Sequence, residues 1–311
     1  MPLFRAQSRG AAVALPQIVV TTPAKVNLYL GVSTERTPRG LHAVRTVMTA
    51  VDLVDTLTLQ PASTLEVVCV PSVRCAPRDN LAARAALVLS ESIDRVPDVR
   101  IVIDKRIPSQ AGLGGGSSDA AATLVALARL WDLDPAGPEV VGAARAVGAD
   151  VPFFLYGAPA LMGGAGDVLE RTFDPVELPV VLVRPLGPGV DTAEAYREFD
   201  RSPVPAADPA PLVSALEAGD ACAVPLAVAN NLDPVARRLM PAEEAVATWL
   251  AARPGVLASQ VSGSGSCVFG FCTSHAAAEG AATDAARRGW WACGTSTRGG
   301  GPAIVSDTWH G

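Results

Sequence analysis

The residues best suited to chemistry lie in a glycine-rich segment, residues 108–119, which reads Pro-Ser-Gln-Ala-Gly-Leu-Gly-Gly-Gly-Ser-Ser-Asp. Its glycines have no side chains and can adopt positive φ angles, so successive backbone N–H groups can point at one anion. Residues 120–131 are mostly helix formers, and serine is a favoured N-cap, so we expect a helix that begins at Ser117 and Ser118. A glycine turn that meets a helix N-terminus predicts a phosphate site.

The alternative interpretation of this segment is a flexible turn between a strand and a helix. Two familiar phosphate motifs are excluded by inspection. The chain has no Gly-Lys dipeptide, which a Walker A loop requires, and Ser117 stands where a dinucleotide fingerprint needs its third glycine.

A lysine and an asparagine form a second candidate feature. The segment around Lys25 and Asn27 alternates as a strand does, which places both side chains on one face. Lys25 and Lys105 are the only lysines among 25 basic residues. In a chain so rich in arginine, we interpret them as positions where a compact ammonium is needed, although survival by chance remains an alternative.

Asp150 and a second glycine turn complete the set. Asp150 precedes an apolar Val-Pro-Phe-Phe run, so we do not expect its carboxylate to be fully solvated, and it needs a polar partner or a catalytic role. Alternatively, Asp150 is the N-cap of a helix. Residues 262–266 read Ser-Gly-Ser-Gly-Ser between two β-like runs, a pattern that also fits a tight hairpin. Together the four features fit phosphoryl transfer from ATP to an alcohol, with a carboxylate that handles the hydroxyl proton.

Composition limits the partners. The chain has 311 residues, which is enough for two domains. Its net charge of −6 argues against a protein that binds nucleic acids or acidic membranes. An anionic small-molecule substrate stays possible. Six cysteines without a C-x-x-C pair, with three histidines, make a zinc or redox motif unexpected and favour a cytoplasmic protein. We expect no metal site made by the protein alone, and we find no secretion signal or membrane span in the sequence.

The surrounding pattern is α+β. We expect strands at residues 18–32, 44–59, 99–105 and 180–183, with Asp52 and Asp55 near turns in the second of them. We expect a loop at residues 35–42 and an exposed proline-rich loop at residues 202–211. We expect helices at residues 81–89, 138–147 and 243–252. A domain boundary is predicted near residues 160–175 and is set between residues 1–165 and 166–311.

Three segments resemble the motifs of the GHMP kinases, a family that includes galactokinase, homoserine kinase and mevalonate kinase. They are residues 23–28 (Pro-Ala-Lys-Val-Asn-Leu), 112–121 and 262–266, in the family's order. Shorter similarities at residues 40–42, 52–55, 79–81, 148–153 and 231–236 extend the resemblance from about Thr21 to Ser306. Within the family, the order of the motifs and their residues are most similar to the branch that phosphorylates a cytidylated sugar alcohol in non-mevalonate isoprenoid biosynthesis.

The resemblance implies a two-domain α+β fold, with a ribosomal S5 domain 2-like N-terminal domain and a ferredoxin-like C-terminal domain. It implies Asp150 as the base and Lys25 as the cation beside it, with ATP and Mg²⁺ as cofactors. The implied ATP contacts are Asn80, Lys105, Gly112, Leu113, Gly114, Gly115, Gly116, Ser117 and Ser118. The implied substrate contacts are Asn27, Leu41, His42, Thr192, Tyr196, Gly263 and Ser264.

The chain departs from the family at Arg39-Gly40-Leu41-His42, where Asp-Gly-Tyr-His is usual. Leu41 offers apolar contact without ring stacking, a loss of about 0.5 to 1.5 kcal/mol, and Tyr196 could partly compensate. Two alternatives therefore stay open: a GHMP kinase with another alcohol acceptor, and a nucleotide-binding paralogue without catalysis. A lone histidine such as His42 is also compatible with a purely structural role. The oligomeric state is left open.

Overall fold

A computed structural model describes residues 15–73 and 79–309. Residues 1–14 lie outside the described residues. They belong to the N-terminal segment in which we expect no secretion signal. The described strands are β1 Ile18–Arg36, β2 His42–Pro61, β3 Glu66–Val70, β4 Val99–Asp104, β5 Ala160–Gly163, β6 Val168–Thr172, β7 Pro179–Arg184, β8 Ala229–Asn230, β9 Val256–Val261, β10 Val268–Cys272, β11 Trp291–Arg298 and β12 Ala303–Asp307.

The described helices follow the same order. They are α1 Leu81–Ser92, α2 Gly115–Trp131, α3 Pro138–Val147, α4 Val151–Tyr156, α5 Thr192–Arg201, α6 Ala210–Glu217, α7 Asp233–Leu239, α8 Pro241–Ala251 and α9 His275–Arg287, with a 3₁₀ turn at Val224–Ala227. No helix in the described ranges combines the length and the apolar character needed to cross a bilayer.

The N-terminal sheet is organised around the long antiparallel pair β1 and β2. β4 joins the second half of β2, β3 joins β4 in parallel, and β12 joins β1 on its other side. Helices α1 to α4 form a common core with this sheet, to which Leu57, Ile101 and Ile103 contribute completely buried side chains. Burial of each such side chain contributes about 1.5 to 3 kcal/mol. Alanines line the buried side of α2 and let it lie close to α1 and β1.

The C-terminal sheet has the strand order β11-β7-β10-β9, with every neighbouring pair antiparallel. Numbered within this sheet alone, the order is fourth, first, third, second. Helix α8 precedes β9, and α9 connects β10 to β11; both helices pack on the sheet through buried side chains such as Leu250 and Ala285. This is the ferredoxin-like arrangement, and the predicted α+β fold is confirmed.

Strands cross between the two halves of the chain. The end of β11 pairs with β2 at Thr297 and Arg298, and β12 pairs with the start of β1. The predicted division between residues 165 and 166 falls in the turn of the β5–β6 hairpin. The division into residues 1–165 and 166–311 therefore stays a prediction.

Most predicted elements lie where expected, and α3 has the predicted bounds. The start of α2 was predicted wrongly: the helix begins at Gly115 after Gly114, which has a φ of 69°. Ser118 does not cap it, because its hydroxyl donates to the Pro23 carbonyl, 2.6 Å away. Asp52 and Asp55 lie within β2 rather than at turns, and the loop after β1 shortens to residues 37–41.

Candidate active site

A cavity of about 890 Å³ lies where β1 and β2 face α5 and the turn between β9 and β10. Most of the predicted site residues line it: Lys25, Asn27, Leu41, His42, Gly112, Gly114, Gly115, Gly116, Ser117, Asp150, Thr192, Tyr196, Gly263 and Ser264. Tertiary structure thus brings together residues that are up to 239 positions apart in the sequence, since Lys25 and Ser264 share one cavity.

The Lys25 ammonium is the central cation of this cavity. Its Nζ lies 3.2 Å from Oδ2 of Asp150 and donates to Oδ1 of Asn27 at 2.6 Å. Lys25 is almost completely buried, whereas the Asp150 side chain is about one-third exposed (35%). The Lys25 ammonium is therefore shielded from solvent, and the Asp150 carboxylate remains accessible from the cavity.

Asp150 occupies the N-cap position of α4 without capping it. Its backbone is in the right-handed helical region, and its side chain makes no hydrogen bond to the first turn of the helix. Pro152 in that first turn has no N–H to satisfy. The structural alternative for Asp150 is therefore not realised, and its carboxylate is available to Lys25 and to a ligand.

Asn27 is oriented by a residue that sequence analysis did not identify. The hydroxyl of Thr46 accepts from Nδ2 of Asn27 at 2.9 Å and donates to the Tyr29 carbonyl at 2.6 Å. Because the amide nitrogen is thus committed, Oδ1 of Asn27 points at Lys25. Thr46 lies on β2 opposite Leu30, and nothing in its sequence neighbourhood distinguishes it from other strand threonines.

The glycine loop requires glycine for two separate reasons. Gly112 and Gly114 have φ angles of 73° and 69°, which other residues rarely adopt. A Cβ at Gly112 would also overlap the Ser262 carbonyl, and a Cβ at Gly114 would lie 2.9 Å from Cγ of Lys25. The backbone of the loop therefore lies directly against both the second glycine turn and Lys25.

Hydrogen bonds join the glycine loop to the β9–β10 turn, among them one from Ser266 Oγ to the Gln110 carbonyl at 3.4 Å. Ser262 Oγ donates to the Gly112 carbonyl at 2.9 Å, and the Cys267 N–H donates to the Ala111 carbonyl at 3.0 Å. Ser262 also accepts from the Asn27 N–H at 3.4 Å. The turn is at once the hairpin connection that the sequence pattern allowed and a wall of the cavity.

This arrangement fits a bound polyphosphate. Helix α2 has 17 residues, and its N-terminal glycines, which line the cavity, carry no side chain that would fill the space in front of their N–H groups. For Mg²⁺, no cluster of three or more His, Cys, Asp or Glu side chains suited to a metal occurs among residues 15–73 and 79–309. A magnesium ion would therefore depend mainly on phosphate oxygens and water for its ligands.

Four predicted ATP contacts lie outside the cavity lining. Asn80 caps α1 by accepting from the Ala82 N–H at 2.9 Å, Leu113 is buried in the core, and Ser118 is buried beneath the loop. Lys105 donates to Asp55 at 2.5 Å and to Asp119 at 2.7 Å. In this structure these four side chains do not line the cavity, and their contact with ATP stays a prediction.

The Lys105 cluster is almost completely buried. Asp55 also accepts from the N–H groups of Arg106 and Ile107, so it fixes the end of β4 just before the glycine loop. Burial raises the pKa of Asp119 to about 7, against the effect of the nearby Lys105. The pKa of Lys105 is also raised: burial lowers it, but the carboxylates of Asp119 and Asp55 outweigh burial. One ammonium thus holds two carboxylates together where β2, β4 and α2 meet.

The far end of the cavity is aromatic and charged. The His42 ring lies 4.9 Å from the Tyr196 ring, and its Nδ1 lies 2.7 Å from the Ser33 carbonyl, to which it must donate. Its Nε2 lies 3.4 Å from Oδ1 of Asp200, which also pairs with Arg36 at 2.6 Å. Burial raises the pKa of Tyr196 to about 12, and the charge of Asp150 acts in the same direction.

Helix α5 presents one face to the cavity. Thr192, Tyr196 and Asp200 recur at four-residue spacing on this face, and Oγ1 of Thr192 lies 3.0 Å from Oγ of Ser264. Sequence analysis identified the first two from the resemblance and missed Asp200 and Arg36. The i, i+4 spacing was the signal that could have found Asp200.

Leu41 lies at the rim of the cavity and is about half exposed (48%). The preceding Arg39, the other departure from the family pattern, pairs with Asp167 at 2.6 Å and so ties this loop to the β5–β6 turn.

Two segments of the chain match models of a known protein family. Residues 80–158 match the model of the GHMP kinases N terminal domain, and residues 212–290 match that of the GHMP kinases C terminal domain. A protein of Mycolicibacterium gilvum (strain PYR-GCK) named 4-diphosphocytidyl-2-C-methyl-D-erythritol kinase is 39% identical over 88% of this chain and 87% of its own length. The chain belongs to the GHMP kinase family.

Other similar proteins agree with this membership. The Rhodococcus jostii (strain RHA1) protein of the same name is 38% identical to this GHMP kinase, over 94% of this chain and 97% of its own. A crystal structure of 4-(cytidine 5'-diphospho)-2C-methyl-D-erythritol kinase superposes with a TM-score of 0.74 at 35% identity, covering 91% of this chain and all of the other. The predicted small-molecule kinase is confirmed, and membership of the family implies the use of ATP.

We expect that Thr46→Val lowers kcat by about tenfold or more, because the Asn27 amide loses its acceptor and no longer holds Oδ1 on Lys25. Steady-state kinetics at saturating ATP measure this. Thr49→Val is the matched control, since Thr49 is buried on the same strand and its hydroxyl makes, within residues 15–73 and 79–309, only a 3.5 Å contact with the Ala50 carbonyl. Equal kcat values for the two variants would contradict the positioning role of Thr46.

The Lys105→Met variant separates support of the loop from contact with ATP. Without the ammonium, two buried carboxylates lie together uncompensated, so we expect a loss of about 3 to 5 kcal/mol in the free energy of unfolding. Urea denaturation measures this loss, with the exposed Arg106→Met as control. A large rise in the KM for ATP with unchanged stability would instead support the predicted contact with adenosine.

Proposed function

We propose that this GHMP kinase transfers the γ-phosphoryl group of ATP to the 2-hydroxyl of 4-diphosphocytidyl-2-C-methyl-D-erythritol, a step in non-mevalonate isoprenoid precursor biosynthesis. The observation that carries the proposal is the Lys25–Asp150 ion pair beside the glycine loop, in one cavity. The names of the most similar relatives support this choice of acceptor.

In the proposed reaction, Asp150 accepts the proton of the acceptor hydroxyl while that oxygen bonds to the γ-phosphorus. The bond from the γ-phosphorus to the bridging oxygen breaks, and ADP leaves. Lys25 offsets the negative charge that develops beside Asp150, and Asn27 holds Lys25 in place. Most of the rate gain comes from positioning both reactants in one cavity.

We propose that residues 112–117 hold the phosphates of ATP with their backbone N–H groups, and that Mg²⁺ enters with ATP and offsets phosphate charge. The N-terminus of α2 and the Ser262 bridge to Gly112 support the position of this loop. Asn80 and Lys105 contribute indirectly, by capping α1 and by fixing the end of β4.

The acceptor extends in our proposal from Asp150 toward His42, along the exposed face of α5. A cytosine ring has flat faces and polar edges, which suits the apposed rings of His42 and Tyr196 and the nearby Asp200. Leu41 adds apolar contact at the rim, and Thr192, Gly263 and Ser264 line the path between the two ends.

The kinase is proposed to work in the cytoplasm. Cys222, Cys267, Cys272 and Cys293 are free thiols, which supports a reducing compartment.

An acceptor panel tests the function. ADP release is measured with 4-diphosphocytidyl-2-C-methyl-D-erythritol, mevalonate, homoserine and simple sugars at matched concentrations. Release that depends on the first compound supports the proposal. Preference for another alcohol would identify a GHMP kinase with a different acceptor, and ATP binding without transfer to any alcohol would identify a non-catalytic paralogue.

Asp150→Asn tests the proposed base. The amide cannot accept the proton, so we expect kcat to fall by about 10² to 10⁴ while ATP binding is retained. Turnover is followed by ADP release and binding by calorimetry, with the exposed Asp174→Asn as control. Full turnover of the Asp150 variant would contradict the assigned base.

Leu41→Tyr tests the acceptor end. Restoring an aromatic ring at the rim adds about 0.5 to 1.5 kcal/mol of stacking, so we expect the KM for the acceptor to fall by about two- to tenfold with kcat unchanged. Leu226→Tyr, at an exposed position away from the cavity, controls for the added ring. An unchanged KM would show that Leu41 does not face the base.

A further inference from the structure

Glu243 is a buried acid that the proposed mechanism does not use. It lies in the first turn of α8 with its side chain completely buried. Neither carboxyl oxygen has a hydrogen-bond partner in the part of the chain that the structure describes. A buried carboxylate without donors is strongly unfavourable, so a carboxyl in this place favours its protonated form.

The carboxyl group of Glu243 lies directly against the β9–β10 turn. A Cβ at Gly265 would overlap Oε2 of Glu243 and lie 3.1 Å from its Oε1. Gly265 itself belongs to the turn whose Ser262 and Cys267 bond to the glycine loop. Glu243 therefore touches the outer side of the same turn that forms a wall of the active site on its inner side.

The charged groups around Glu243 do not provide it with a cation of its own. Arg237 of α7 faces it but is bound to Asp233 through Nη2 at 2.8 Å and approaches Glu244 at 3.4 Å. Asp233 of α7 and Glu244 of α8 both repel an ionised Glu243.

Groups on the sheet side complete the surroundings. The buried thiol of Cys267, at the end of the turn, has Arg184 of β7 nearby, and that guanidinium donates to the Ser109 and Gly187 carbonyls. Burial, followed by the charge of Asp233, raises the pKa of Glu243 to about 8, while Arg237 lowers it only in part.

We propose that Glu243 is a positioning residue: as an un-ionised carboxylic acid it supports the 262–267 turn, and its ionisation loosens this turn from the glycine loop and lowers turnover at alkaline pH. Ionisation places an uncompensated charge against Gly265, and the cost is relieved when the turn moves and admits water. The two hydrogen bonds that hold the turn to Gly112 and Ala111 then lengthen.

The effect on stability has a definite sign. An unfolded chain releases the Glu243 proton near pH 4.5, whereas the folded protein keeps it to about pH 8. The folded state thus binds more protons across this window, so the contribution of Glu243 to the free energy of unfolding falls as pH rises and levels off above about 8.

Glu243→Gln tests the proposal because it keeps the shape and removes the ionisation. For the wild-type kinase we expect kcat/KM to fall about tenfold per pH unit above about pH 8, a limb that Glu243→Gln lacks. Glu244→Gln, its more exposed neighbour on α8, is the matched control and should follow the wild type. The same alkaline limb in Glu243→Gln as in the wild type would overturn the proposal.

A second measurement does not depend on the acceptor. Urea denaturation of the wild type and Glu243→Gln at several pH values should show that wild-type stability decreases more steeply between about pH 5 and 8. Parallel curves would overturn the proposal. Only the expected fall of kcat/KM at alkaline pH rests on the proposed function. Failure to phosphorylate the proposed acceptor therefore leaves the urea denaturation test intact. Should the glutamine variant not fold, Glu243→Met, of similar length and without charge, carries the same two expectations.

Discussion

The close approach of two backbones, at Gly112 and at Ser262, is the contact on which the active site depends. No side chain can be placed between them, since even a Cβ at Gly112 would overlap the Ser262 carbonyl. The contact joins the N-terminal half of the chain, which contributes the glycine loop, to the ferredoxin-like sheet, which contributes the β9–β10 turn. The loop lies against Lys25 at Gly114 and the turn lies against α5 at Ser264, so the contact connects these two parts of the cavity wall.

Burial of charge is the second constraint, and the chain meets it in two different ways. Lys25 and Lys105 are both almost fully buried, and each ammonium lies between oxygen ligands: Asp150 and Asn27 for the first, Asp55 and Asp119 for the second. The Lys25 pair is open to the cavity through Asp150, whereas the Lys105 cluster is closed. The same chemical group is therefore proposed to serve the reaction in one place, and it holds two buried carboxylates together in the other.

The proposed acceptor end of the cavity is formed largely by one face of a single helix. Helix α5 packs inward through Ala195 and Phe199, which leaves the face with Thr192, Tyr196 and Asp200 toward the cavity. Ion pairing of Asp200 with Arg36 and its approach to His42 connect the end of this helix to β1 and β2. Departures from the family pattern at Arg39 and Leu41 lie on the neighbouring loop, where Arg39 has its own partner in Asp167.

Sequence alone determined the α+β class and the positions of most helices and strands, and it led to the predictions that the glycine loop binds phosphate and that Lys25 and Asp150 are catalytic. These depend on local properties: the conformational range of glycine, the period of apolar residues and the scarcity of lysine in this chain. Motif order then identified the family, and most of the site residues predicted with it line the cavity.

Only the tertiary structure decided which polar groups meet. Thr46 and Glu243 have no distinguishing sequence neighbourhood, and only the spacing from Thr192 and Tyr196 could have pointed to Asp200. All three contact residues far away in the chain: Asn27, Gly265 and His42, respectively. The position of Lys105 near the adenosine stays a prediction, whereas the structure shows its ammonium held by two carboxylates that lie 50 and 14 residues away. Ser118 likewise lies inside α2 instead of capping it, and its hydroxyl bonds to Thr22 and to the Pro23 carbonyl. The physical reason is the same in each case: the energy of a buried polar group depends on the partners that the fold brings to it, and local sequence does not contain them.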